Sequence, residues 1–287
     1  MSRTRTIIGI GEAILVRDVD RELPGGTAVT VASVAHQLGH RGIPISRVGQ
    51  DQYGDRILDW LRRQSVELSS VQTDPDHATG RLTIRRIGGR TRRTFDTFAA
   101  FDNLQWDYDL EDLAQQADAV IYSALGMRSG QARSVIDRFL AECRDGLRIC
   151  SLVAQLEDPL DRTALHDGLQ YAQILIVDDA ALRELLPSHR PESMEETTAS
   201  LLKRHALDAV VHIDKTGTLQ AVEAAGVITC SDVLPPEADR HATWTGLAHG
   251  LIHGWDWNRS LQAAARIGVF TAENPEKPLP ADLLDAS

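Results

Sequence analysis

The sequence predicts an α/β protein, a mostly parallel sheet with helices on both faces. Short β-branched runs recur along almost the whole chain, and stretches of helical period lie between several of them. Composition agrees: 287 residues, 43% apolar and 25% charged, suffice for one large core and exclude a disordered, collagenous or coiled-coil chain. Strand, helix and strand in alternation bring successive strands back parallel, and the crossover helices cover the sheet.

In chain order, Thr6–Ile10, Ile43–Val48, Ala119–Tyr122, Leu147–Leu152, Ile174–Val177 and Ala209–Ile213 read as strands, because each is short and rich in Ile, Val or Leu. Helical spacing marks Tyr53–Arg63, Gln131–Glu142 and Met194–His205. A further helix opens at Gly25-Gly26-Thr27-Ala28 and runs through Leu38, ending at Gly39-His40. Another, Ala180–Leu186, is preceded by Asp178 and Asp179, whose charge favours a helix start. One region breaks the alternation. Arg81–Phe95 reads as two strands around Gly88-Gly89, a pair suited to a tight hairpin turn, so a β-ribbon should protrude from the α/β body. Six arginines crowd into it, Arg81, Arg85, Arg86, Arg90, Arg92 and Arg93. They serve either to attract a phosphorylated ligand beneath a lid or as a solvated edge that blocks sheet-to-sheet aggregation. Leu186–Ser193 and Asn274–Pro280 read as a loop and a C-terminal tail, and no repeat or inter-domain linker divides the chain, so residues 1–287 are expected to form a single domain.

Charge and composition narrow the function. Thirty Lys and Arg against 41 Asp and Glu leave a net charge of −11, which argues against a nucleic-acid partner. Cys143, Cys150 and Cys230 have neither disulfide nor zinc spacing and read as buried, reduced thiols. No apolar run has the length of a membrane span and Met1–Arg5 leads straight into a strand, so a cytoplasmic protein with no membrane partner is expected. His249 and His253 stand i, i+4 on one helix, a chelating spacing, but no Glu or Cys beside them completes a site and no metal centre is expected. Trp244, Trp255 and Trp257 read as packing aromatics around that helix. No G-x-S-x-G elbow supports a hydrolase.

Three motifs stand in order in the first third: Gly9-Ile10-Gly11-Glu12-Ala13, Gly25-Gly26-Thr27-Ala28, and Val48-Gly49-Gln50-Asp51-Gln52-Tyr53-Gly54, with Thr79-Gly80 entering the ribbon. This series resembles the ribokinase-like (PfkB) carbohydrate kinases, where it runs G-E-A-L-x-D, G-G-A-x-x-N-V-A and V-G-x-D-x-F-G. Leu247–Trp255 resembles the family's long helix after its catalytic loop. The resemblance implies a ribokinase-like, doubly wound, mostly parallel sheet with helices on both faces and a small β-ribbon lid, here about 14–23 and 81–98. It also implies a sugar phosphotransferase in which an Asp deprotonates the attacking hydroxyl and the backbone amides of a G-A-G-D loop, at a helix N-terminus, hold the phosphoryl charge.

Against that pattern the functional positions have changed. The G-A-G-D loop falls at Ala238-Asp239-Arg240-His241, so His241 stands at the base position and Arg240 beside it as a phosphate clamp, with Asp239 or Asp232 as base if the alignment slips. N-x-x-E falls at Asp178-Asp179-Ala180-Ala181, and the glutamate is Ala181. The nucleotide loop T-x-G-x-x-G reads His212-Ile213-Asp214-Lys215-Thr216-Gly217, where Gly217 survives and Asp214 opposes a triphosphate. The sugar-binding Asp is Val16, and Asp18, about 6.6 Å further along the strand, cannot simply replace it. The family's Asn is Thr30, and D-P-N-x-R appears as Ser151-Leu152-Val153-Ala154-Gln155. Glu12, Gly25, Gly26 and Thr30 are the expected substrate-binding positions, Asp214 and Gly217 the cofactor positions.

The expectation is therefore a PfkB-family homologue with eroded ATP, anion-hole and sugar motifs, catalytically impaired or inactive, with a ligand-binding or regulatory role. The alternatives are an active fructokinase- or ribokinase-like enzyme rebuilt around His241, or an interaction protein working through its lid. ATP and Mg²⁺ are expected only if it is active. A small sugar or nucleoside is the expected partner, with a homodimer formed through the lid.

Overall fold

The computed structural model describes residues 4–18, 21–87, 90–95, 98–152, 168–185 and 194–284. Its strands are β1 (Thr6–Ile10), β2 (Ile14–Asp18), β3 (Arg21–Gly25), β4 (Arg41–Gly49), β5 (Val71–Asp74), β6 (Gly80–Ile87), β7 (Arg90–Phe95), β8 (Ala119–Ser123), β9 (Leu147–Leu152), β10 (Ile174–Asp178), β11 (Ala209–Ile213), β12 (Thr218–Glu223) and β13 (Gly226–Val233). Its helices are α1 (Thr27–Gln37), α2 (Gln52–Arg63), α3 (Tyr108–Gln116), α4 (Gly130–Glu142), α5 (Asp179–Leu185), α6 (Met194–His205), α7 (Arg240–Ile252) and α8 (Trp257–Glu273).

Among the described residues nine strands form one sheet in the order β13-β12-β11-β10-β9-β8-β1-β4-β5, parallel from β11 to β5 and antiparallel where β12 and β13 extend it. The central strands are buried from end to end, as a sheet covered on both faces requires. Side chains alternate between two cores: Ile8 and Ile10 join Val120, Tyr122 and Phe139 on one face, Ile7 joins Ile121 and Trp244 on the other. Each expected strand and helix in the described residues is present. The reading passed over β5, β12 and β13 and the helices α3 and α8. β12 and β13 present half-exposed, mixed faces at the sheet's edge and lack the apolar run that marks a buried parallel strand.

β3, β2, β6 and β7 form a second, four-stranded sheet in that order, with β2 and β6 parallel and the outer pairs antiparallel. Its apolar side gathers Ile14, Val16, Leu82 and Phe95 around Ala99 and Phe101. Gly88-Gly89, Leu186–Ser193 and Val153-Ala154-Gln155 lie outside the described residues.

Two close approaches position the cleft. Gly9 lies under α1, where a Cβ would come 2.6 Å from the Thr27 carbonyl and 2.7 Å from Val31 Cβ. α7 and α8 pack through small residues, Gly246 against Ala264 and Gly250 against Ser260. The Asn274–Pro280 tail is tied down: the Leu279 amide donates to Gln37 Oε1, and Leu279, Leu283 and Leu284 cover Val34, Ala242 and Ile267. The three cysteines are buried and unpaired, and burial pushes the Cys150 thiol up to about 12. No helix among the described residues is long and apolar enough to cross a membrane.

Candidate functional site

The chain runs outward from β1 through β4 to β5 and then, in the other direction, from β8 through β9, β10 and β11. The strand order therefore reverses between β1 and β8, and the crevice beyond their carboxyl ends is where an open α/β sheet receives a ligand. Glu12 follows β1 and Ser123 ends β8, and there they meet: Ser123 Oγ donates to Glu12 Oε2 at 2.9 Å. Glu12 is buried, and its Oε1 accepts from the Thr27 amide (3.1 Å) and the Thr27 hydroxyl (2.7 Å). The carboxylate thus caps α1, whose N-cap position is Gly26 and supplies no side chain. Gly26 has φ +92°, and a Cβ there would come 2.5 Å from the Glu12 carbonyl. Gly25 lies beside Val16, and Thr30 is buried one turn after Thr27 on the same helix face.

His241, in the first turn of α7, reaches this cluster from the other side of the crevice. Its Nε2 lies 3.6 Å from Glu12 Oε1 and its Nδ1 3.4 Å from Thr27 Oγ1. The expected base position and the expected substrate positions Glu12, Gly25 and Gly26 are thus brought together. Arg240 is half-buried, with Nε and one terminal nitrogen buried and without a hydrogen-bond partner. Burial pushes its pKa down, Asp178 and Asp239 act against that, and Arg93 of β7 acts with it. Asp239 is a helix cap rather than a group aimed at a substrate: its carboxylate accepts from the Ala242 amide at 2.9 Å, and its own amide donates to the Gly268 carbonyl. Asp232 pairs with Arg266 at 3.4 Å on the edge strand β13. Ala238, at the first glycine position, is buried in the core beneath α7.

The remaining carboxylates hold the fold. Asp178 Oδ1 accepts from the Ala180 and Ala181 amides at the start of α5, and Asp179 lies 2.8 Å from His212 Nε2. Ala181 is fully buried in the core. Asp214 Oδ1 accepts from the Thr216 amide (2.8 Å), the Thr216 hydroxyl (2.5 Å) and the Thr218 amide (2.9 Å), closing the turn between β11 and β12. Burial raises its pKa, and these hydrogen bonds outweigh it, leaving the carboxyl below the usual range. Gly217, at φ +87°, completes the turn against Leu234. Asp178, Asp179 and Asp214, at the metal and phosphate positions, thus each have Oδ1 engaged by this chain.

The V-G-x-D loop is likewise structural. Asp51 accepts from the Tyr53 and Gly54 amides and from both the amide and the hydroxyl of Thr79, joining α2 to the entrance of β6. Of the ribbon arginines, Arg81 stacks on Tyr53 (5.0 Å), Arg85 is exposed and Arg93 neighbours Arg240; the side chains of Arg86, Arg90 and Arg92 lie outside those described. The sequence reading missed Thr27, Ser123 and the Arg128–Asp102 pair. Arg128 donates to both Asp102 oxygens (2.8 and 2.6 Å) and lies over Phe95 and Phe101. A strand drawn one residue longer would have found Ser123; nothing local marks Arg128.

Residues 11–229 match the pfkB family of carbohydrate kinases. A 2-dehydro-3-deoxygluconokinase of Thermoproteus tenax is 26% identical over 175 residues, 58% of this chain and 54% of its own. The matches span about half the length of such curated relatives. Among solved structures, a fructokinase of Xylella fastidiosa with bound ATP superposes with TM-score 0.76 at 15% identity, over 99% of this chain and 98% of its own. A fructokinase of Vibrio cholerae O395 with fructose, ADP and calcium bound superposes with TM-score 0.74 at 19% identity, over 95% and 94%. At that identity the likeness establishes the fold.

Proposed function

The chain belongs to the pfkB family of carbohydrate kinases, and we propose that within it this protein binds an anionic, hydroxylated small molecule without efficient phosphoryl transfer. The observation that carries the reading is the 214–218 turn. In place of a glycine-lined path for a triphosphate it holds a carboxylate whose charge is kept in place by its own loop. Positioning and electrostatic stabilisation supply nearly all of phosphoryl-transfer catalysis, so a negative charge there, with Ala181 in place of the acidic metal organiser, removes much of it. The ligand's charge follows from Arg240: two unpartnered buried N–H-bearing nitrogens, with Arg93 close enough to lower its pKa, favour an anion such as a carboxylate or phosphate. A survey of sugars, sugar acids and sugar phosphates by thermal unfolding, with ADP release measured alongside, tests this. The expected result is a raised midpoint with one anionic ligand and no turnover, and turnover at ordinary kinase rates would overturn it.

A second reading, an active kinase with His241 as base and Arg240 as phosphate clamp, is favoured by the His241 ring beside Glu12 and Thr27. It requires that any turnover be abolished in His241→Ala and reduced more than about tenfold in Arg240→Ala. Edge strands β3 and β7, with Phe98 84% exposed just beyond β7, support self-association through the four-stranded sheet. Light scattering should give twice the chain mass, and Phe98→Ser should restore the monomer.

A further inference from the structure

We propose that His40, His249 and His253 form a binding site for a divalent transition metal of the zinc class, at the end of α7 remote from the cleft. His249 lies in the last turn of α7 and His253 is its C-cap, and the i, i+4 spacing puts both rings on one face. The third ligand comes from 209 residues away: His40, in the turn between α1 and β4, places Nε2 2.8 Å from His249 Nδ1. One ring nitrogen from each of the three lies within 4.8 Å of the others. The ring centroids are 4.5, 5.0 and 5.4 Å apart.

Ligating imidazoles must be neutral and offer a ring nitrogen lone pair. His253 Nδ1 lies 2.8 Å from the His249 carbonyl, an acceptor only, so Nδ1 carries the proton and Nε2 keeps its lone pair. That is the outer hydrogen bond by which ligating histidines are commonly oriented. Trp255 stands edge-on to His249, and Arg259 stacks on Trp255 at 3.9 Å, walling one side.

The donor set selects the ion. Three imidazoles without a carboxylate suit zinc, copper or nickel and not magnesium or calcium. Tetrahedral Zn–N bonds of about 2.0 Å separate ligand nitrogens by about 3.3 Å, between the separations found here, so small ring rotations close the site. His253 is exposed, which leaves the fourth position to water. Along α7 His249 lies eight residues from His241, about 12 Å of helix, at the end away from the cleft. Its effect is to clip the end of α7 to the α1–β4 turn.

The test is a zinc titration of the untagged chain after chelator treatment, followed by calorimetry, with cobalt substitution read by its visible absorption. The expected result is one zinc per chain, a tetrahedral cobalt spectrum, and affinity at least about tenfold weaker in His253→Ala and in His40→Asn. His253 is exposed, so His253→Ala should fold with an unchanged metal-free unfolding midpoint, which separates lost ligation from lost structure. No binding up to about 1 mM zinc, or binding unchanged in a folded His253→Ala, would overturn the proposal.

Discussion

The wall of the cleft made by β1, α1 and β8 and the wall made by β10, β11, β12 and the start of α7 both carry positions of family motifs, yet they differ in how far the residues there keep the pattern and in what they do. On the first wall, Gly9 and Gly26 are present because backbone and neighbouring atoms leave no room for a Cβ, and Glu12 caps a helix and binds Thr27 and Ser123. On the second, two glycine positions hold other residues that the fold uses, since Ala238 enters the core and Asp214 closes its own turn, and Asp239, at the alanine position, caps α7. The difference teaches that the motif positions held by packing keep the family pattern here, while the positions that depart from it are ones that packing leaves unconstrained.

The largest effect should come from breaking the first wall. Gly26→Ala forces a positive-φ alanine against Glu12 and is expected to cost about 3 kcal/mol in urea unfolding. A cost under about 1 kcal/mol would mean that the glycine is kept for a ligand instead. Glu12→Ala leaves the Thr27 amide and two hydroxyls without their acceptor, and a loss of about 2–3 kcal/mol is expected. Glu12→Gln, which still accepts through its carbonyl oxygen, should lose less; equal losses would contradict the capping role.

A pH series comes next in size. His40 and His249 are held near 4, below the 6.5 of a free imidazole. As pH falls from 6.5 towards 4 the unfolded chain binds protons that the folded chain does not, so metal-free stability should drop across that window. A flat profile there would mean the rings titrate normally. The smallest effect belongs to the second wall: Asp214→Asn weakens one turn and should cost under about 1 kcal/mol, yet it removes the charge facing a triphosphate and should tighten MgATP binding. Weaker nucleotide binding in that variant would make Asp214 a ligand.

How much was legible follows the same division. The central parallel strands could be read because full burial demands continuous apolar runs, as in Thr6–Ile10 and Ala209–Ile213, whereas the half-exposed edge strand β5 could not. β13 could not, since an exposed edge imposes no such pattern. Glu12, Gly26 and His241 were readable as motif positions, but only the fold shows Glu12 and His241 3.6 Å apart. His40 carried no local signal, because its partners lie at the far end of the chain.

The central claim is that the framework has outlived the nucleotide site, and the most direct measurement is the thermal unfolding midpoint with and without millimolar MgATP. A ligand that prefers the folded chain must raise the midpoint in proportion to its occupancy, whether or not it reacts. The account predicts no shift for the natural chain. A clear rise, accompanied by ADP release when a sugar is added, would contradict it.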